Sequence, residues 1–258
     1  MTPHPLDGAR LKIVRAQEHL KSFNEDCWRY VSAEPYKIAT ELGPDQICIE
    51  GIITTESPPR LAGIVGDFVT NCRASLDYIA WELAMRAGRP LSDAQKRRIA
   101  FPLAPDKSSF TKKDGTAFHL EGVCGIPASA MSVIESVQPY HAGNESLDSL
   151  DLLVRTDKHR MLLLCTLFLR SAGKFSIFHG SKPAWKVEGM TRLGMNLTAF
   201  GPPFAGSTDF RVEVDEKPTL FVSLKDGLPP GHFALGGLLD EIIKCVTNIV
   251  PRFDQFFV

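Results

Sequence analysis

The chain predicts an α+β fold: a helical core, an N-terminal β-hairpin, and a C-terminal antiparallel sheet covered by a terminal helix. Three observations carry this expectation. In four segments of the first 170 residues apolar side chains recur at steps of three and four, the period of a helix with one buried face. Beyond about residue 170 the period falls to two, as in half-buried antiparallel strands. Helical spacing then returns at Leu235, Leu238, Leu239, Ile242, Ile243, Val246 and Ile249, until Pro251 stops it.

In order along the chain, Ile13, Ala16, Leu20, Phe23, Cys27 and Tyr30 mark a first amphipathic helix from Ala9 to about Val31. After Pro35, "YKIATEL" and "QICIEGII" flank "GPD", which reads as a hairpin over about 36–53 with Gly43 and Asp45 supplying the turn. A second helix, Leu61 to about Ala87, is apolar nearly all round and belongs in the middle of the fold, with Gly88 as its stop. Residues 88 to 126 carry Pro, Gly and Lys with little period, and predict a long, mostly irregular excursion. A short helix from about Ala128 to Val137 follows. A fourth helix starts near Ser146 and runs to about Arg170. The alternating segments "KFSIFHG", "AWKVEGM", "DFRVEVDE" and "TLFVSLKDG" supply the sheet. The division expected is 1–170, mainly helical with the hairpin, and 171–258, antiparallel β with the last helix; a core shared by both parts stays open.

Composition narrows the function classes. With 29 basic and 30 acidic residues among 258, the net charge is −1, so no global field draws the protein to nucleic acid or to an anionic membrane. The first residues lack the apolar run of a secretory signal, and "MLLLCTLFL" is too short to span a bilayer. These features assign the chain to the cytoplasm and away from membranes. The six cysteines form no close pair, and neither Cys-x-x-Cys nor His-x-x-x-His occurs. They read as small core residues; no metal and no cofactor is implied.

One stretch resists this account. In "LLVRTDKHRMLLL" the apolar stripe of the fourth helix runs Leu150, Val154, Asp157, Met161, Leu164, which puts a carboxylate in line with core residues, where it needs a partner. His159 and Arg160 are the flankers best placed to supply one. The second helix shows the same feature, with Asp67 and Asn71 on one stripe and Arg73 four residues before Asp77 on another. On the first helix Arg15 and His19 stand four apart at the edge of the apolar face. Three helices thus each bring polar residues to roughly their midpoints. Either these groups satisfy one another as a fold-specifying network, or they converge on a cleft where His moves a proton and Arg holds a phosphate.

"GDFVTNCRASLDYIAWEL", "QPY" at 138–140 and "LDLLVRTDKHRMLL" together resemble a family of uncharacterised bacterial proteins of similar length, over most of residues 10 to 170. More distantly, an Arg followed on a helix by four to six residues and a His is similar to the HEPN superfamily of nucleotide-binding helical proteins, many of them metal-independent ribonucleases. Here Tyr78 stands five residues after Arg73, where that pattern has His. The resemblance implies that His159 substitutes from the neighbouring helix and takes the proton of a ribose 2′-hydroxyl, while Arg73 or Arg160 stabilises the phosphate. Asp157, Arg160, Asn71, Asp67, Asp77, Arg15 and His19 then form the ligand-binding set. RNA, a small anionic ligand and a second copy of the chain are the partners left open, beside a non-enzymatic structural or partner-binding role.

Overall fold

A computed structural model of the chain describes residues 4–42, 47–168, 174–179, 181–188, 196–200, 210–217, 219–229, 232 and 234–258. It is α+β with a helical core. Two compact units interleave along the chain: Met1–Phe23, Ala62–Leu162 and Gly236–Val258 make one, and Asn24–Leu61 with Leu163–Leu235 the other.

The first unit is helical. It takes α1 (Asp7–Ser32) as far as Phe23, and α2 (Pro59–Arg86) from Ala62 onward. Val65, Phe68, Val69, Cys72, Leu76, Ile79 and Ala80 are all fully buried, the central position that the apolar character of α2 predicts. Proline at its first position suits a helix start. At its far end Gly88 takes φ +71°, and its N–H donates to the Met85 carbonyl at 3.2 Å, a left-handed stop of the kind glycine favours.

The 88–126 stretch is more regular than its composition suggests. It contains α3 (Asp93–Lys96), α4 (Lys107–Phe110), α5 (Thr116–Phe118) and a π-helix over His119–Cys124, which ends at Gly125 with φ +77°. Local capping stabilises these short pieces: Ser92 and Gln95 form a reciprocal capping box, and Asp106 accepts the Ser109 N–H. His119 is buried, with Nε2 donating to the Gln95 carbonyl at 3.0 Å. Then come α6 (Ala128–Ser136), α7 (Ser146–His159) and α8 (Leu235–Ile249), the last continuing as a 3-10 helix over Val250–Phe256. The predicted stripe of α8 is buried throughout.

The fourth helix departs from expectation. It ends at His159, and Arg160 takes extended backbone (φ −160°, ψ 152°) while its N–H donates to the Thr156 carbonyl at 2.9 Å. The apolar run beyond it is a strand, β3 (Leu164–Phe168). A short apolar run has the same pattern in a buried strand as in a buried helix, so periodicity alone cannot separate the two. Asp157, Lys158, His159 and Arg160 are therefore a helix terminus and no interruption of a core: Lys158, His159 and Arg160 are exposed and Asp157 is half-buried. The basic groups there face the negative end of the helix dipole, where cations are stabilising.

All the strands belong to the second unit. In the hairpin, β1 (Tyr36–Leu42) pairs antiparallel with β2 (Ile47–Ile53), Ile38 opposite Gly51, and β2 also pairs with β6 (Asn196–Phe200). The "GPD" turn lies outside the described residues. β3 pairs with β8 (Leu220–Leu224), and β4 (Lys174–His179) lies between β5 (Lys182–Glu188) and β7 (Phe210–Glu216). β3 and β6 were not anticipated as strands. Also in this unit, the Tyr30 hydroxyl donates to the Thr55 carbonyl at 2.6 Å and meets the buried Thr166 hydroxyl at 2.8 Å. Trp28 is exposed.

Candidate functional site

Helix α2 carries most of the polar residues singled out above, and its neighbours can be fixed turn by turn. The buried Ser75 hydroxyl donates to the Ala9 carbonyl at 3.0 Å, and Lys12 Nζ donates to Asn71 Oδ1 at 3.3 Å. The Tyr78 ring lies so close to Gly8 that a Cβ there would stand 2.8 Å from Cδ2. As numbers rise on α1 they fall on α2, so the two helices run antiparallel. Asn71 Nδ2 meanwhile donates to the Asp67 carbonyl at 2.8 Å, which leaves the exposed Asp67 carboxylate uninvolved in that contact. Arg15 is exposed and pairs with Glu18 at 3.3 Å, one turn away on its own helix. His19 is half-buried.

Asp157 approaches α2 from α7. Its carboxylate faces Gly66, where a Cβ would stand 2.5 Å from Oδ1 and 2.9 Å from Cγ. Asp157 makes no hydrogen bond or ion pair among the described residues. The expected partner from His159 or Arg160 is replaced by close contact with a residue that has no side chain. This gives a test with a change of sign. Gly66→Ala alone is expected to destabilise by roughly 1 kcal/mol, because the clash outweighs the better helix propensity of alanine. In an Asp157→Ala background the same substitution is expected to stabilise by up to about 1 kcal/mol. Urea unfolding of the four variants reads the cycle, and additive effects would show that the two residues do not touch.

Arg73 and Asp77 behave differently. The guanidinium is mostly buried and grips the carboxylate through two nitrogens, Nε to Oδ2 at 3.2 Å and Nη2 to Oδ1 at 3.0 Å. Both groups also hold the backbone of Phe101: Arg73 Nη2 donates to its carbonyl at 2.6 Å, and its N–H donates to Asp77 Oδ1 at 2.8 Å. Three residues on, Gln138 Oε1 accepts the Ala104 N–H at 2.9 Å. Its Nε2 donates to the Pro102 and Ile134 carbonyls, each at 2.9 Å. The 101–104 segment has no strand partner among the described residues, and its buried polar groups need one. Arg73, Asp77 and Gln138 supply it. The residues quoted in the "NCRASLDY" and "QPY" stretches thus meet on one segment.

No hydrogen bond or ion pair joins Arg73 to His159 among the described residues. Gly66, where Asp157 sits, is seven positions before Arg73, or about 10 Å along the helix axis at 1.5 Å per residue. The N-terminal half of α2 therefore gathers Asn71, Lys12 and Asp157, while Arg73 and Asp77 belong to a second cluster further along. His159 and Arg160 are exposed at the end of α7.

A groove of about 410 Å³ opens beside that second cluster, lined by Asp77, Tyr78, Trp81, Glu82 and Ile99. Burial holds the Glu82 carboxyl above the usual carboxylate range. Ala74, Tyr78, Trp81 and Met85 continue the stripe of α2 that carries Asp67 and Asn71, on a helix whose sequence is apolar nearly all round and so predicts a central position, and here Tyr78, Trp81 and Met85 are exposed. Aromatics at helical spacing on a stripe that also carries Asp67 and Asn71 were the available signal, and periodicity alone cannot say which stripe of a largely apolar helix faces out.

The second unit has a smaller cavity of about 210 Å³, lined by Ile53, Glu56, Ser57, Leu163, Leu164, Cys165, Thr166 and Lys225. Burial raises the Cys165 thiol pKa against the opposing charge of Lys225, so the thiolate needed for nucleophilic chemistry is disfavoured. Among the described residues no group of three His, Cys, Asp or Glu side chains is placed to hold a metal, and no helix is long and apolar enough to cross a membrane. No family model, curated protein or solved structure matches the chain.

Proposed function

We propose that this chain is a non-enzymatic binding protein whose charged helix residues specify the fold, and that the groove on α2 is its working surface. One observation carries this reading. Arg73, the residue that a HEPN-like nuclease assigns to phosphate stabilisation, already donates to Asp77 and to the Phe101 carbonyl. Its Nε and Nη2 are committed to those partners, its charge is met by the Asp77 carboxylate and the side chain is only 16% exposed, all of which disfavour a phosphate there. Lys158, His159 and Arg160 have a structural role available at the end of α7. A cytoplasmic location belongs to the same reading, since the described cysteines, Cys27, Cys72, Cys124, Cys165 and Cys245, are free thiols.

The test is incubation of the protein with end-labelled structured and unstructured RNA in the presence of chelator, beside His159→Ala. Intact RNA in both samples is expected, with His159→Ala folding as stably as the parent to within about 0.5 kcal/mol, as for a surface substitution. Chelator-resistant cleavage that disappears in folded His159→Ala would overturn the reading and make the cluster at the end of α7 an active site.

A further inference from the structure

The groove on α2 has a chemistry that narrows what it can hold. Of the described residues that line it, two are aromatic and substantially exposed, Tyr78 at 42% and Trp81 at 39%. Two are carboxylates, but they are not equivalent. Asp77 is neutralised by the bidentate Arg73 and accepts the Phe101 N–H. Glu82 makes no ion pair or hydrogen bond among the described residues, so the described lining carries one carboxylate without a paired cation. Arg97 and Arg98 precede Ile99 in the chain, but their side chains are exposed and do not line the groove.

The walls are held in place before anything binds. Tyr78 is backed by the Gly8 backbone, with ring atoms within 2.9 Å of where a Cβ would stand. Asp77 is anchored by two hydrogen bonds and the ion pair to Arg73, and Trp81 is carried on the long helix α2. The negative face of an aromatic ring attracts a cation, most strongly at tryptophan, and the attraction grows when a carboxylate lies beside it. The volume suits a small molecule.

We propose that this groove is a binding site for a small organic cation, an alkylammonium or guanidinium group held against Trp81 and Tyr78 with its charge met by Glu82. The proposal rests on the reading of this protein as a binding protein and names the ligand class of that same surface. Glu82→Gln keeps the shape of the groove and removes only its charge. Trp81→Phe keeps an aromatic face but weakens it.

The experiment is calorimetric titration of the full chain with choline and with agmatine, beside 3,3-dimethylbutan-1-ol, the uncharged carbon analogue of choline. Saturable binding of at least one cation is expected, with the neutral analogue weaker by roughly tenfold or more. Glu82→Gln is expected to lose a similar factor and Trp81→Phe a smaller one, with both variants melting as the parent does. Equal binding of choline and its neutral analogue would overturn the proposal and leave an apolar groove only. No saturable binding of either cation, or parent-like binding by Glu82→Gln, would overturn it as well. RNA cleavage would remove the non-enzymatic reading without altering any of these titrations, so the two failures are distinguishable.

Discussion

Phe101→Ala is expected to cost the helical unit about 3–5 kcal/mol, in the upper range for truncating a buried side chain. Phe101 and Phe253 are both fully buried and meet edge to face, with ring centroids 6.1 Å apart and planes at 85°. The cost of such a truncation depends on whether the surroundings can collapse into the space left behind. Here they are hindered, because Arg73 and Asp77 hold the Phe101 backbone and Gln138 holds Pro102 and Ala104. The cavity therefore stays open and its cost is felt in full. Urea unfolding followed by circular dichroism measures it, and Phe101→Leu, which restores most of the volume, is expected to recover more than half. A loss below about 1 kcal/mol for the alanine variant would mean that the segment relaxes and that the clamp does not constrain it.

Asp77→Ala is expected to destabilise by about 2–3 kcal/mol. The carboxylate is one third exposed, at 33%, whereas Arg73 is 16% exposed, so the larger part of the penalty falls on the groups left behind. These are a mostly buried guanidinium without its counter-charge and the Phe101 N–H without its acceptor. Asp77→Asn keeps an oxygen for the N–H and is expected to lose about half as much. Arg73→Ala and Asp77→Ala share partners, so the double variant is expected to lose less than the sum of the two. Additivity would mean that the pair contributes nothing beyond its separate contacts. If the single variants both unfold like the parent, the fold-specifying role assigned to the cluster is lost with them.

Helices α1, α2 and α8 and the hairpin are legible in the sequence because each has a sustained period and clear stops. The Ile13-to-Tyr30 stripe, Gly88 after α2, Pro35 before the hairpin and the Leu235-to-Ile249 stripe all correspond to observed elements. The error at Leu164–Phe168 has a local cause. Five apolar-rich residues carry no information about period, and what makes them a strand is β8, more than fifty positions later. The short helices between residues 93 and 118 were missed because capping by Ser92 and Asp106 acts over three or four residues, below the reach of a periodicity argument.

The polar residues divide in the same way. That Arg73 and Asp77 pair is a property of i and i+4 on one helix and needs no tertiary information. That the pair closes on Phe101, that Gln138 joins it from 34 positions beyond Ala104, and that Asp157 rests on Gly66 are contacts between distant segments. Local spacing has no access to them. By itself the sequence determined the fold class, the long helices, the hairpin and the absence of paired metal-ligand motifs, because these follow from residue periodicity and short-range chemistry. Only the tertiary structure decided which stripe of α2 faces outward, where the fourth helix ends, and which charged groups are engaged, because those depend on which distant backbone groups would otherwise be buried without a partner.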